Sequence, residues 1–232
     1  SLEPGAERSE AVELVLFTGP IEKEGYTLDL GGGARIELAW IPPGTTTLGS
    51  TQAERDWAAG PEGQGKAEWF TNEGLQQTAR MAHGFWLGRT EVTVGQWRRF
   101  VESSGYRTDA EKAGKAFALD LADGKWKPTD GKSWRDPGFN QTDTHPAVCI
   151  SWNDAKAFCR WVNERERAAG RLPEGFEWRL PGEAEWAYAC RGGREGTKFW
   201  WGDALSDGEG RLNGLGADAF PDNSDGKWKE CY

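Results

Sequence analysis

Between Arg35 and Ile41 polar and apolar side chains alternate, as they do in a half-buried β-strand. Gly31, Gly32 and Gly33 read as the turn that leads into this strand, and Pro42, Pro43 and Gly44 end it. A second strand is predicted from Gly84 to Glu91, with Phe85, Trp86 and Leu87 as its apolar content. Thr93 then reads as a helix N-cap and Gln96 completes a capping box. Trp97, Phe100 and Val101 fall on one face of a helix that ends at Gly105. Residues 106–145 hold almost no periodicity. They mix Gly, Asp, Lys and Pro with Phe117, Trp126, Trp134 and Phe139, and are expected to form an ordered loop lining a surface groove. Ala147 to Ile150 reads as a buried strand. Ser151 caps the clearest helix, on which Ala155, Phe158, Cys159 and Val162 recur at helical spacing. A shorter helix is predicted from Gly182 to Cys190, entered through Leu180 and Pro181, with Trp186 and Ala189 facing inward. Residues 1–26 are expected to be a tail or an edge strand. No internal repeat, low-complexity linker or composition break divides 27–232, which therefore reads as a single α+β domain.

Composition sharpens this picture. Of 232 residues, 14 are Trp and 32 are Gly, a mixture that suits a loop-rich body pinned by large rings and turned at positions free to take positive φ. A net charge of -9 excludes nucleic acid and anionic membrane surfaces as main partners, because both require clustered Lys and Arg. No stretch approaches a membrane span, and Ala11 to Phe17 is too short and lacks the basic flank of a signal sequence, so the chain is expected to be soluble with its compartment open. Cys149, Cys159, Cys190 and Cys231 contain no C-x-x-C pair, which argues against structural zinc.

Several segments, in order along residues 27–232, resemble the formylglycine-generating-enzyme and sulfatase-modifying-factor family. They include Ile41-Pro42-Pro43-Gly44, Glu91-Val92-Thr93-Val94-Gly95-Gln96-Trp97, Gly105-Tyr106-Arg107-Thr108-Asp109-Ala110-Glu111-Lys112 and Trp134-Arg135-Asp136-Pro137-Gly138-Phe139. His145-Pro146, Ser151-Trp152-Asn153-Asp154-Ala155, Arg179-Leu180-Pro181-Gly182-Glu183-Ala184-Glu185-Trp186, Cys190-Arg191-Gly192-Gly193 and Trp200-Trp201-Gly202-Asp203 continue the pattern. The resemblance implies an irregular α+β fold of the C-type-lectin-like kind. It also implies an oxidase that uses molecular oxygen and copper(I) to turn a sulfatase cysteine into formylglycine. In that family the reactive cysteine pair lies in the C-terminal part, beyond an Asn-Val-Trp-Glu-Trp-type segment, and neither precedes Tyr232. Copper(I) is therefore expected only with a C-terminal part missing from this sequence, and a second segment is expected to complete the fold. By family position Cys159 and Cys190 resemble disulfide partners of cysteines in that part, or else core residues.

Ala110, Phe117 and Trp134 match positions that line the family's groove for a protein or peptide ligand, and can equally be plain aromatic and small-residue packing. Lys115 and Ala116 stand where studied members of the family carry an acidic residue and a serine, so two hydrogen-bonding groups of the standard pocket are lost. Leu212-Asn213-Gly214 and Asn223-Ser224-Asp225-Gly226-Lys227 resemble a structural calcium loop. There Asn213 and Asp225 would give side-chain oxygens, and Gly214 and Lys227 carbonyls. A non-catalytic ligand-binding variable protein on the same scaffold, of the kind diversified by retroelements, is the alternative function. An iron-dependent sulfoxide synthase of the ergothioneine type needs three histidines in a helical domain, whereas this chain has His83 and His145.

Overall fold

A computed structural model of the chain describes residues 15–17, 25–61, 63, 65–120 and 125–204. The β-strands in chain order are β1 (Val15–Phe17), β2 (Tyr26–Gly31), β3 (Ala34–Ile41), β4 (Gly44–Leu48), β5 (Gln77–Met81), β6 (Phe85–Gly88), β7 (Lys115–Asp120), β8 (Lys125–Asp130) and β9 (Trp178–Arg179). The α-helices are α1 (Gln52–Ala58), α2 (Val94–Ser104), α3 (Asp109–Ala113), α4 (Trp152–Ala168) and α5 (Glu183–Arg191), with a 3-10 helix at Ala67–Glu73. They belong to two compact units, one built from residues 1–45 and 80–185, the other from 46–79 and 186–232.

The first unit is organised by an antiparallel sheet in the order β2-β3-β6-β1-β9. Gly31, Gly32 and Gly33 all have positive φ, so the glycine turn forms a backbone path that a side chain would strain. It sets Leu28 opposite Ile36, and the alternation then carries Leu28, Leu30, Ile36 and Leu38 to one buried face. Two helices cover that core. Thr93 and Gln96 close the expected capping box, with Thr93 N–H donating to Gln96 Oε1 at 2.8 Å, and Gly105 ends α2 in the left-handed region. Ser151 caps α4, whose Ala155, Phe158, Cys159 and Val162 are buried as the spacing requires. Where the helices meet, Trp97 stacks on Phe158 at 5.6 Å and meets Phe100 edge-on at 5.2 Å, an arrangement aromatic quadrupoles favour. Buried Asn163 of α4 fixes β9 through both atoms of its amide, to Trp178 O and from Trp178 N, each at 2.7 Å.

Five expectations change. Residues 15–17 are an interior strand, hydrogen-bonded to β6 and β9, not an edge. The second strand is shorter than Gly84–Glu91, ending at Gly88. Residues 106–145 are not a featureless loop but contain α3 and the β7–β8 ribbon. Ala147 to Ile150 is buried but is no strand, because Cys149 takes a left-handed φ of 59° that breaks the extended path. Ala147 N–H still reaches Val92 O at 2.9 Å. Trp186 on α5 is 49% exposed, so that helix does not bury its tryptophan.

In the second unit, β4 pairs with β5, and α1 opens with a capping box between Thr51 and Glu54. Gly49 has φ of 84°, and a Cβ there would sit 2.6 Å from Leu75 O, so no other residue permits this approach of two backbone segments. No helix among the described residues is long and apolar enough to cross a membrane.

Candidate functional site

The stretch read as a groove lining is built on α3. Thr108 accepts from Glu111 N–H at 3.2 Å, and Glu111 Oε2 accepts from Thr108 N–H at 2.9 Å. Gly114, at φ of 70°, then turns the chain into β7. Phe117 pairs with Pro128 across the ribbon. A proline has no N–H to exchange, so this must be a non-hydrogen-bonded pair, and the backbone N–H and C=O of Phe117 point away from β8. The ribbon has two strands, so that edge of β7 has no strand partner among the described residues.

Cross-strand pairing also sorts the side chains. Ala116 and Ala118 face inward, 8% and 3% exposed. On the other face lie Lys115, Phe117 and Leu119, opposite Asp130, Pro128 and Trp126. Phe117 and Trp126 are 39% and 52% exposed and stack with ring centroids 6.3 Å apart. Among the residues singled out from the sequence, Lys115 and Phe117 thus share the solvent face, Ala116 faces inward and Ala110 is half-buried on α3. Trp134 belongs to the core, 1% exposed, with the Arg135 guanidinium 4.3 Å from its ring. Trp126, one of the four aromatic residues noted in this stretch, completes the outer face opposite Leu119; what the sequence does not show is the ribbon that stacks it on Phe117.

One carboxylate fixes two helix starts. Asp154 is fully buried. It accepts from Ser151 N–H at 3.0 Å, Asp109 N–H at 3.0 Å and Tyr106 O–H at 2.8 Å. Burial and the bond to Asp154 push the Tyr106 phenol far above its ordinary range, so it remains a donor. Ser151 Oγ donates to Asp109 Oδ2 at 2.7 Å, and this bond holds the Asp109 carboxyl below the usual carboxylate range.

Copper(I) binds thiolates, and burial disfavours that form at two of the described thiols. Burial pushes the Cys159 thiol up to about 12 and raises that of Cys149, so both stay protonated in the interior. Cys190 is exposed, near the end of α5 in the second unit. Among the described residues no group of three or more His, Cys, Asp or Glu side chains could hold a metal ion. Asn213, Gly214, Asp225 and Lys227, the expected calcium residues, lie outside the described residues, as does Cys231.

The second unit has a polar cleft of about 580 Å³, lined among others by Thr47, Glu54, Gln76, Arg191, Lys198 and Asp203. Thr51 donates to Glu54 through its hydroxyl at 2.7 Å and its N–H at 2.6 Å, and these bonds lower the Glu54 pKa. Lys198 Nζ lies 4.6 Å from the centre of the Trp57 ring, while Lys198 N–H donates to Asp203 Oδ1 at 3.0 Å.

A small sheet capped by two helices, with an appended ribbon and a tryptophan-rich core, defines an α+β protein of the formylglycine-generating-enzyme fold. PvdO from Pseudomonas aeruginosa shares this fold at a TM-score of 0.53 and 20% identity, over 86% of this chain and 64% of that one. Residues 34–230 match the sulfatase-modifying factor enzyme 1-like domain, and the chain belongs to that family. The formylglycine-generating enzyme of Mus musculus is 34% identical over 142 residues, which are 53% of this chain and 34% of that protein. The inactive C-alpha-formylglycine-generating enzyme 2 of Bos taurus is 28% identical over 199 residues, 77% of this chain and 56% of that one. The chain therefore spans between a third and three fifths of these relatives, and resembles an active and an inactive one alike.

Proposed function

We propose that the chain receives an extended, cysteine-bearing segment of a sulfatase along β7, in an enzyme that oxidises that cysteine to formylglycine with molecular oxygen and copper(I), one oxygen atom entering the aldehyde, the sulfur leaving as sulfide and an external thiol reducing the other oxygen atom to water. The observation that carries this reading is the solvent-facing Phe117–Trp126 pair beside the outward backbone of β7, in a chain of this family. The N–H and C=O of Phe117 can add a peptide as a further strand, and the two rings can hold an apolar side chain of that peptide. Lys115, on the same face, favours an acidic residue near the cysteine. Cys149 and Cys159 take no part, since their thiols remain protonated in the interior. No observation favours the non-catalytic variable protein.

The test is incubation of the complete protein with a cysteine-containing sulfatase peptide, copper(I), oxygen and a reducing thiol, followed by mass spectrometry. Conversion of the cysteine to an aldehyde is expected. A peptide that binds but is never oxidised overturns the catalytic part, and a peptide that does not bind overturns the whole reading.

A further inference from the structure

The cleft of the second unit lies apart in sequence from the ribbon, and its charges are unevenly committed. Glu54 is held by two bonds from Thr51, and Asp203 by the Lys198 N–H. The two cations are not committed in the same way. Arg191 makes no ion pair among the described residues and feels Glu54 only through space, while the Lys198 ammonium rests on the Trp57 ring. A partly buried arginine whose forked donors make no hydrogen bond among the described residues, at the wall of a cleft, suits a planar oxyanion. With Glu195 the lining holds three carboxylates to two cations, and this residual negative charge works against a ligand bearing two. Thr47 and Gln76 add hydroxyl and amide groups, which offer hydrogen bonds to a polar ligand body.

We propose that this cleft is a binding site for a small hydroxylated monocarboxylate of the sugar-acid type, with Arg191 gripping its carboxylate, Lys198 assisting, and Thr47 and Gln76 bonding its hydroxyls. Such a ligand is independent of peptide oxidation at the ribbon, so either reading can fail alone.

Calorimetric titration of the complete protein with D-glucuronate, D-glucose and inorganic phosphate tests it. Glucuronate is expected to saturate a single site, with glucose much weaker and phosphate weaker than glucuronate. Arg191→Lys keeps the charge but loses the fork, and should weaken glucuronate by about tenfold or more. Lys198→Gln, a change on an exposed side chain, should weaken it less while leaving circular dichroism unchanged. The proposal is overturned if glucuronate binds no better than glucose, if phosphate binds more tightly, or if folded Arg191→Lys and Lys198→Gln proteins both bind glucuronate as the parent does.

Discussion

A carboxylate with no exposed surface is costly unless donors replace the water it has lost. Asp154 is in that position, and the two backbone N–H groups and one phenol around it supply the replacement. Asp154→Ala would leave those donors unpaired between the starts of α3 and α4 and should cost about 3 kcal/mol, read as a lower urea midpoint with unchanged slope. Tyr106→Phe removes a single donor and should cost about 1 kcal/mol. A midpoint unmoved by Asp154→Ala would show that the carboxylate does not tie α3 to α4. Asp109 contributes to the pH response, together with Glu54, Glu111, Asp136 and Glu185, whose carboxyls are lowered as well. A carboxyl whose folded pKa lies below its unfolded one contributes in full above the unfolded value, about pH 4, and loses that contribution as pH falls towards the folded value. The melting temperature should therefore be level near neutrality and decline below about pH 4, and Asp109→Asn should flatten part of that decline.

At the scale of elements, the ribbon inverts the usual amphipathic arrangement, with alanines inside and rings outside. Trp126→Ala should leave stability within about 0.5 kcal/mol of the parent, because half the side chain is already in water, yet raise KM for peptide oxidation several-fold. Lys115→Glu should move peptide preference from acidic to basic neighbours of the cysteine, measured as a ratio of kcat/KM for matched peptides. That inversion also explains why the ribbon was illegible in the sequence. Periodicity reveals an element when large apolar side chains face the core, as in α2 and α4, where capping boxes mark the starts as well. In β7 the core-facing positions hold Ala116 and Ala118, which carry little hydrophobic signal. The Thr108–Glu111 capping box of α3 was present but stood before only five helical residues. At Ala147 to Ile150 the apolar content was read correctly, and only the backbone angle of Cys149, which no local pattern announces, decided against a strand.

Across the whole molecule, the second unit is assembled from two stretches separated by about half the chain, so no composition break could mark it. The calcium expectation belongs to this scale, because an ion joining Asn213 to Asp225 would close the C-terminal stretch on itself. Saturating calcium should raise the melting temperature and a chelator reverse it, whereas Asn213→Ala with Asp225→Ala should abolish the response. Finally, the tryptophans range from fully buried to largely exposed. Trp97, Trp134 and Trp178 are at most 2% exposed, while Trp69, Trp126 and Trp152 are more than half exposed. Intrinsic fluorescence should therefore contain a blue component that acrylamide barely reaches and a red one that it quenches freely. Since the three buried indoles all belong to the first unit, the blue component is an optical clock for the unfolding of that unit alone.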